Sequence, residues 1–244
     1  MAKIEIKKQV KNKFGLDEKE MLKAGLHFGH RSSKFHPKMK PYIFGVRKTI
    51  HIIDLEKTLE KFDIALEYIK SLIEQEKTLL FIGTKTPHKE LVKAIAEECG
   101  FPYVNERWLG GSLTNFKVIK SRIKFLKDLE EKQQSDDWQK YTKKERLKIE
   151  ELIQNLKRKF EGIRDLEKLP DAIFVCDMKK DGLAAKEARM EKIPVIGISD
   201  TNTDPSQADY SIPANDDAIS SVRYILEKVK ETILKSRPKD KKVT

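Results

Sequence analysis

The chain has 244 residues, of which 39% are hydrophobic and 36% are charged, and its net charge is +11. Wholesale disorder is excluded because the apolar residues suffice for a core, and no apolar run reaches the ~20 residues of a membrane-spanning helix. The N-terminus lacks the continuous apolar segment of a secretory signal, and its acidic residues argue against an organelle-targeting segment.

The positive charge is unevenly distributed. It is concentrated in residues 1–50, in 117–168 and in the last eight residues, whereas 51–116 and 169–236 are slightly acidic. A localised basic surface is typical of proteins that bind polyanions. We therefore favour a polyanion partner over the alternative, which is a generally basic and solvated surface.

The first predicted elements follow a basic, lysine-rich arm over residues 1–20. Residues 21–54 are punctuated by glycine and proline, and we expect irregular chain there with a short hairpin near 42–53. Apolar residues spaced by three and four from Leu55 to Ile73 predict an amphipathic helix.

The rest of the chain alternates between apolar runs and helical patterns. The runs predict strands at 78–83, 101–105, 171–177, 194–200 and 208–213, and the helical patterns lie at 89–100, 182–192 and 216–235. Such alternation indicates a parallel sheet covered on both faces. The predicted fold class is α/β: a three-layer, flavodoxin-like domain of about five strands over residues 21–236, followed by a basic tail over 237–244.

The segment at about 117–165 interrupts this alternation. Apolar residues recur there in steps of four, three, four and three, which is a heptad seam formed by Ile149, Ile153, Leu156, Phe160 and Ile163. We predict an inserted α-helical coiled-coil hairpin with a basic outer face. The alternative is two ordinary helices that cover the sheet.

The stretch RWLGGSLTNF, residues 107–116, has the pattern of an anion site. Gly110 and Gly111 indicate a close-approach turn, and Ser112 or Thr114 is suited to cap the next helix. Backbone N–H groups and the helix dipole at such a turn point towards a ligand. Two interpretations stay open: Arg107 binds an RNA phosphate, or the whole turn is scaffold that orients the helix.

Polar residues at the predicted strand ends raise the possibility of an enzyme. Ligands in open α/β sheets bind beyond the carboxyl ends of the strands, where this chain has Lys85, His88, Asp177 and Asp200. The glycine fingerprints of nucleotide sites and the nucleophile-turn motif are absent. We therefore expect no catalytic residues, and we keep a nucleotide- or sugar-phosphate-binding enzyme as the main rival.

A structural metal ion is a second possibility. His27 and His30 lie three residues apart, and Asp200 and Asp204 are the carboxylates that we would first place beside them. Further residues of a suitable type are His36, His51, Asp216 and Asp217. No spacing completes a recognised ligand set, and the two cysteines, Cys99 and Cys176, form neither a zinc set nor a disulfide framework. The alternative is that the histidines hydrogen-bond to backbone or RNA and that no cofactor is bound.

The basic and aromatic segment 30–48 is the strongest indication of function. Lysine and arginine there alternate with Phe35, Tyr42 and Phe44, and exposed aromatic rings can stack on unpaired bases. The alternative is that the rings pack onto the domain and the charges are solvated. Our candidate RNA-binding residues in this segment, the turn and the insertion are Arg31, Lys34, Lys38, Lys40, Arg47, Lys48, Arg107, Lys117, Lys120, Arg122, Lys143 and Lys144.

Five stretches together resemble the family of the bacterial-type small-subunit ribosomal protein S2. They are GLHFGHRSSKFHPKMKPYIFGVRKTIHIIDLEKT, FIGTK, NERWLGGSLTNFKVIKSRI, LPDAIFVCD and IPVIGISDTNTDPSQADYSIPANDDAI, and the resemblance runs from about Met21 to Val229. The arm before Met21 is longer than is typical of the family.

The resemblance implies a central parallel sheet with a protruding coiled-coil hairpin, and no catalysis. It also implies a cytoplasmic ribosomal protein that binds small-subunit rRNA between head and body and supports docking of the mRNA-binding ribosomal protein S1. Neighbouring ribosomal proteins are then the other expected partners, with no membrane contact and no homo-oligomer. A general RNA-binding module outside the ribosome is the second rival.

Overall fold

The structure, a computed structural model, describes residues 13–135, 138 and 140–237. Residues 1–12 of the predicted arm and 238–244 of the predicted tail lie outside the described residues. No helix within the described part is long and apolar enough to cross a membrane.

The described strands are β1 Phe28–Arg31, β2 Ile43–Arg47, β3 Ile50–Ile53, β4 Leu79–Ile82, β5 Tyr103–Val104, β6 Ala172–Val175, β7 Val195–Ser199 and β8 Tyr210–Pro213. The α-helices are α1 Glu18–Ala24, α2 Leu55–Glu74, α3 Lys89–Glu98, α4 Phe116–Gln134, α5 Lys143–Phe160, α6 Gly182–Met190 and α7 Ile219–Ser236.

The larger sheet has five parallel strands in the order β5-β4-β6-β7-β8. This is the flavodoxin-like order, whose switch point lies between β4 and β6. The prediction of a five-stranded parallel sheet is confirmed, although the strands are shorter than predicted and β5 has only two residues.

Alternation of side chains along the strands creates two cores. Leu79 and Phe81 of β4 pack in a cluster with α2, α3 and α7, whereas Leu80 and Ile82 pack in a second cluster with α4, α5 and α6. Successive strand residues point to opposite faces, so the apolar runs of the sequence are buried on both sides. The sheet and the helices that pack on its two faces therefore form three layers.

The insertion contains the two predicted helices, α4 and α5, which contact each other. Glu130 of α4 pairs with Lys157 at 2.9 Å and with Arg164 at 2.7 Å. Ile123 and Phe160 are buried in the same cluster as the second face of the sheet, so part of the insertion covers that face. The coiled coil itself stays a prediction.

The segment predicted to be irregular, residues 21–54, contains a smaller antiparallel sheet in the order β1-β3-β2. The predicted hairpin near 42–53 is confirmed as β2 and β3. The prediction missed α1 and β1, which are too short to show a clear period. At the tip of the hairpin, Lys48 and Thr49 adopt positive φ angles of 46° and 68°.

The small sheet is attached to the end of β7 by close backbone contacts. The N–H groups of His30 and His36 donate to Oγ1 and to the carbonyl oxygen of Thr201, each at 2.9 Å. A Cβ atom on Gly29 would lie 2.5 Å from Cγ2 of Thr201. Glycine at position 29 is therefore what allows β1 to approach this closely.

We predict that Gly29→Ala destabilises the protein by about 1–3 kcal/mol, because the added methyl overpacks the contact with Thr201. The free energy of unfolding from urea titration is the measurement. Gly45→Ala on β2 is the matched control, since a Cβ there meets no atom within 4 Å. Equal stability of the two variants would contradict the prediction.

Candidate functional site

The glycine turn before α4 is held by one buried carboxylate. Glu187 of α6 accepts hydrogen bonds from the backbone N–H of Gly111 at 2.9 Å and of Leu113 at 3.0 Å. It also accepts one from the indole Nε1–H of Trp108 at 3.1 Å. Gly111 has a φ of 88°, in the left-handed region that favours glycine. The N–H groups predicted to bind an anion therefore bind the chain's own carboxylate.

The charge of Glu187 is stabilised by these donors. Burial by itself would raise the pKa of the carboxyl. The hydrogen bonds from Leu113, Gly111 and Trp108 outweigh burial and lower the pKa below its ordinary value of 4.5. Glu187 is consequently ionised at neutral pH and acts as the anion of the site.

Sequence reasoning missed Glu187. No spacing connects it with a turn 76 residues away. The one signal in the sequence is an acidic residue on the helix face that also carries the buried Ala184, Ala185 and Ala188. The structure favours the scaffold interpretation for the glycines, while Arg107 lies exposed beside the turn.

A second charged cluster lies at the carboxyl ends of the strands. Nζ of Lys85, after β4, lies 3.0 Å from Asp177, 3.1 Å from Asp216 and 2.7 Å from Asp217. Burial would lower the pKa of Lys85, but these carboxylates outweigh it and raise the pKa. Burial and the neighbouring Asp177 and Asp200 raise the pKa of Asp216 to about 7.

The strand-end residues considered for catalysis thus contact other groups of the same chain. Lys85 and Asp177 pair with each other, and Nε2 of His88 lies 2.8 Å from the carbonyl oxygen of Asp216. Burial lowers the pKa of His88. A cavity of about 240 Å³ lies beside the cluster and is lined by His30, Lys34, Lys85, Asp177, Lys179, Lys180, Asn202 and Asp216.

The predicted metal ligands are only partly brought together. His30 Nδ1 lies 3.0 Å from Asp200 Oδ2, and His30 Nε2 lies 3.4 Å from Asp217 Oδ2. The contact with Asp200 raises the pKa of His30. His27 instead packs against Phe28, with ring centroids 3.9 Å apart, and burial lowers its pKa.

Asp204 lies in a different contact. Its carboxylate accepts a hydrogen bond from Lys38 Nζ at 2.8 Å, and Ser206 donates to it as well. Burial would raise the pKa of Asp204, but these donors outweigh it and lower the pKa to about 2. Lys38 is therefore neutralised in part by its own chain.

The remaining basic candidates are distributed over the small sheet and the insertion. All of them are exposed: Arg31, Lys34, Lys40, Arg47, Lys48, Lys117, Lys120, Arg122, Lys143 and Lys144. Lys120 donates to the carbonyl oxygen of Glu167 at 2.9 Å. Among the three aromatic candidates, Phe44 is 75% exposed, Phe35 packs against the His51 ring with centroids 5.1 Å apart, and Tyr42 is half-buried.

Similarity to known proteins extends over nearly the whole described domain. A family model described as "Ribosomal protein S2" matches residues 21–236. A protein of Petrotoga mobilis, named small ribosomal subunit protein uS2, is 47% identical over 219 residues, which cover 90% of this chain and 76% of that protein. A protein of Dictyoglomus thermophilum with the same name is 45% identical over 219 residues, or 90% of this chain and 89% of that protein.

We predict that Glu187→Gln destabilises the protein by about 2 kcal/mol or more, because hydrogen bonds to a charged acceptor are worth ~1.5–3 kcal/mol each. The depressed pKa means that the contribution of Glu187 is present above about pH 4.5 and is lost as the pH falls through the folded-state pKa. The stability difference between wild type and variant, from denaturant titrations at several pH values, should therefore shrink at low pH. Glu191→Gln, at the exposed end of the same helix, is the control; a difference independent of pH would contradict the assignment.

Proposed function

The chain belongs to the ribosomal protein S2 family, and on this premise we propose that it is a structural constituent of the small ribosomal subunit with a role in translation. The observation that carries the proposal is the family match over residues 21–236. It spans the α/β domain and the helical insertion together.

We propose that the chain binds small-subunit rRNA through many phosphate contacts. The exposed lysines and arginines of the small sheet and the insertion provide the charge, and phosphate contacts dominate the affinity of such binding. Lys143 and Lys144 support this proposal because they lie in the first turn of α5. Cations are unfavourable at a helix N-terminus, so an anionic partner accounts for their position there.

Phe44 is the residue that we assign to base stacking. It projects from β2, with Val46 two residues on and with Arg47 and Lys48 exposed at the hairpin tip. An aromatic ring flanked by cations can stack on an unpaired base while the cations bind the neighbouring phosphates. Phe35 and Tyr42 are less exposed than Phe44, since the Phe35 ring packs against His51 and Tyr42 is half-buried.

Arg107 is assigned to phosphate binding rather than to holding the turn. Glu187 already occupies the backbone donors of that turn, so the exposed guanidinium is the group left to meet an external anion. Arginine suits this role because its planar donors match a phosphate bidentately.

The proposal includes no catalytic role. Lys85, which follows β4 at the carboxyl end of the sheet, is neutralised by three carboxylates. From the family resemblance we extend the proposal to a position between head and body, to docking of ribosomal protein S1, and to the cytoplasmic ribosome as the place of action. We propose no contact with a membrane and no homo-oligomer.

Cosedimentation with small ribosomal subunits through a high-salt wash tests the function. A structural constituent remains with the subunits, whereas an RNA-binding module outside the ribosome washes off.

We predict that Lys143→Gln combined with Lys144→Gln weakens rebinding of the purified chain to stripped subunits. The slope of the logarithm of the binding constant against the logarithm of the salt concentration should fall in magnitude by about 1 for each phosphate that the variant no longer neutralises. Lys186→Gln on α6, also exposed, is the control; an equal effect of both changes would contradict the assignment of α5.

We predict that Phe44→Ala weakens binding of the rRNA by about 1–3 kcal/mol, the contribution of one base stacked on an aromatic ring. The free energy of unfolding should change little because the ring is largely exposed. Filter binding with small-subunit rRNA fragments measures the first quantity and urea titration the second. Ile64→Ala, an exposed apolar change on α2, should leave RNA binding unchanged; unaltered binding by Phe44→Ala would remove the stacking assignment.

A further inference from the structure

His30, Asp200 and Asp217 converge from three distant parts of the chain. His30 lies in β1, Asp200 directly follows β7, and Asp217 lies between β8 and α7. One donor atom from each, an imidazole nitrogen and two carboxylate oxygens, lies within 4.8 Å of the others. The small sheet and the strand ends of the large sheet meet at this point.

Two of the donor atoms are buried and face each other. Asp200 is 1% exposed, and its Oδ1 accepts a hydrogen bond from Thr201 Oγ1 at 3.0 Å. Its Oδ2 is buried and has no hydrogen-bond partner among the described residues, and the same holds for His30 Nδ1. These two atoms are 3.0 Å apart, yet the direction of the contact is not that of a hydrogen bond. Buried polar atoms without a partner are uncommon, and a third group that contacts both atoms from one side would satisfy them.

The charges around the pair call for a cation. Asp177, Asp200, Asp216 and Asp217 all lie within this cluster, and Lys85 pairs with three of them but not with Asp200. The buried carboxylate of Asp200 therefore depends on His30 for its neutralisation. Buried charges are ordinarily paired or coordinate a metal ion.

We propose that His30, Asp200 and Asp217 bind a divalent metal ion of the zinc class. Zinc accepts imidazole nitrogen together with carboxylate oxygen, and where the protein provides only three ligands, as here, water completes its four-coordinate shell. Magnesium and calcium prefer shells made of oxygen alone, so the imidazole favours a first-row transition ion. Sequence reasoning places His27 and Asp204 in such a site; the geometry replaces them with Asp217.

The ion has a structural role in this proposal. It links β1 to the segment after β7 and to the segment before α7, and so fixes the small sheet that presents Phe44 and Arg47. Because the three ligands are brought together only by folding, the free energy of metal binding adds to the stability of the fold. This inference does not depend on the proposed function, since the purified chain without RNA is sufficient to test it.

The test uses the full chain, dialysed against a chelator and titrated with Zn²⁺ by calorimetry at neutral pH, with Co²⁺ absorption as a second readout of the donor set. We expect one ion per chain, and a folding equilibrium constant about 100-fold larger at a metal concentration 100 times Kd. Asp217→Asn should weaken binding by at least about 10–100-fold, and His30→Gln and Asp200→Asn should do the same. Asp204→Asn, which alters a carboxylate paired with Lys38, should bind as wild type does.

Three results would overturn the proposal. They are the absence of saturable binding to the wild type, binding that Asp217→Asn leaves intact, and an equal loss in Asp204→Asn. If Asp200→Asn fails to fold, Asp217→Asn still decides the question, because the Asp217 side chain is 58% exposed and is not part of the core. A protonated His30 paired with Asp200 and Asp217 is the alternative, and it predicts variants of altered stability in a chain that binds no ion.

Discussion

One buried carboxylate determines how the helical insertion leaves the domain. Burying the charge of Glu187 costs several kcal/mol unless donors surround it. The backbone of the turn at Gly111 and Leu113 provides those donors. Hydrogen bonds are directional, so α6 and the turn can satisfy the charge in only one relative position. The start of α4 at Phe116 follows five residues after Gly111 and inherits its direction from this contact.

The same logic applies at the carboxyl ends of the parallel strands. Folds of this topology place their ligands there, but here Lys85 is surrounded by carboxylates of its own chain. The glycine turn and Lys85 at the strand ends are therefore both paired with carboxylates of the same chain. Fold alone does not determine function, and the groups that we propose for RNA binding are exposed side chains on the small sheet and the insertion.

Sequence patterns predict an element when burial of its apolar residues determines its structure. They do not predict an element whose position depends on one contact with a residue far away in the chain. Strands β4, β6 and β7 are apolar on both faces, so their runs are visible without a partner. In contrast, β1 has only four residues and is ordered by its contact with Thr201, 171 residues away from His30. The N–H groups of the glycine turn, predicted to face an external anion, donate to Glu187, and this partner cannot be found from spacing. The predicted metal ligands show the same limit of spacing: His30 and Asp200 meet, whereas Asp204 pairs with Lys38.

The small sheet and the insertion, to which we assign RNA binding, are thus both oriented by polar groups of the core. The small sheet is held at Thr201 and Asp200, and the insertion is held at Glu187. Apolar packing brings elements together but leaves rotation and sliding less restricted, whereas a satisfied buried polar network specifies one arrangement. A large rRNA is recognised by its shape through many phosphate contacts, and each contact requires its cation to be at the right distance from the others. We therefore expect the polar residues of the core to control the proposed RNA binding through geometry, although the charge that we assign to it lies on the surface.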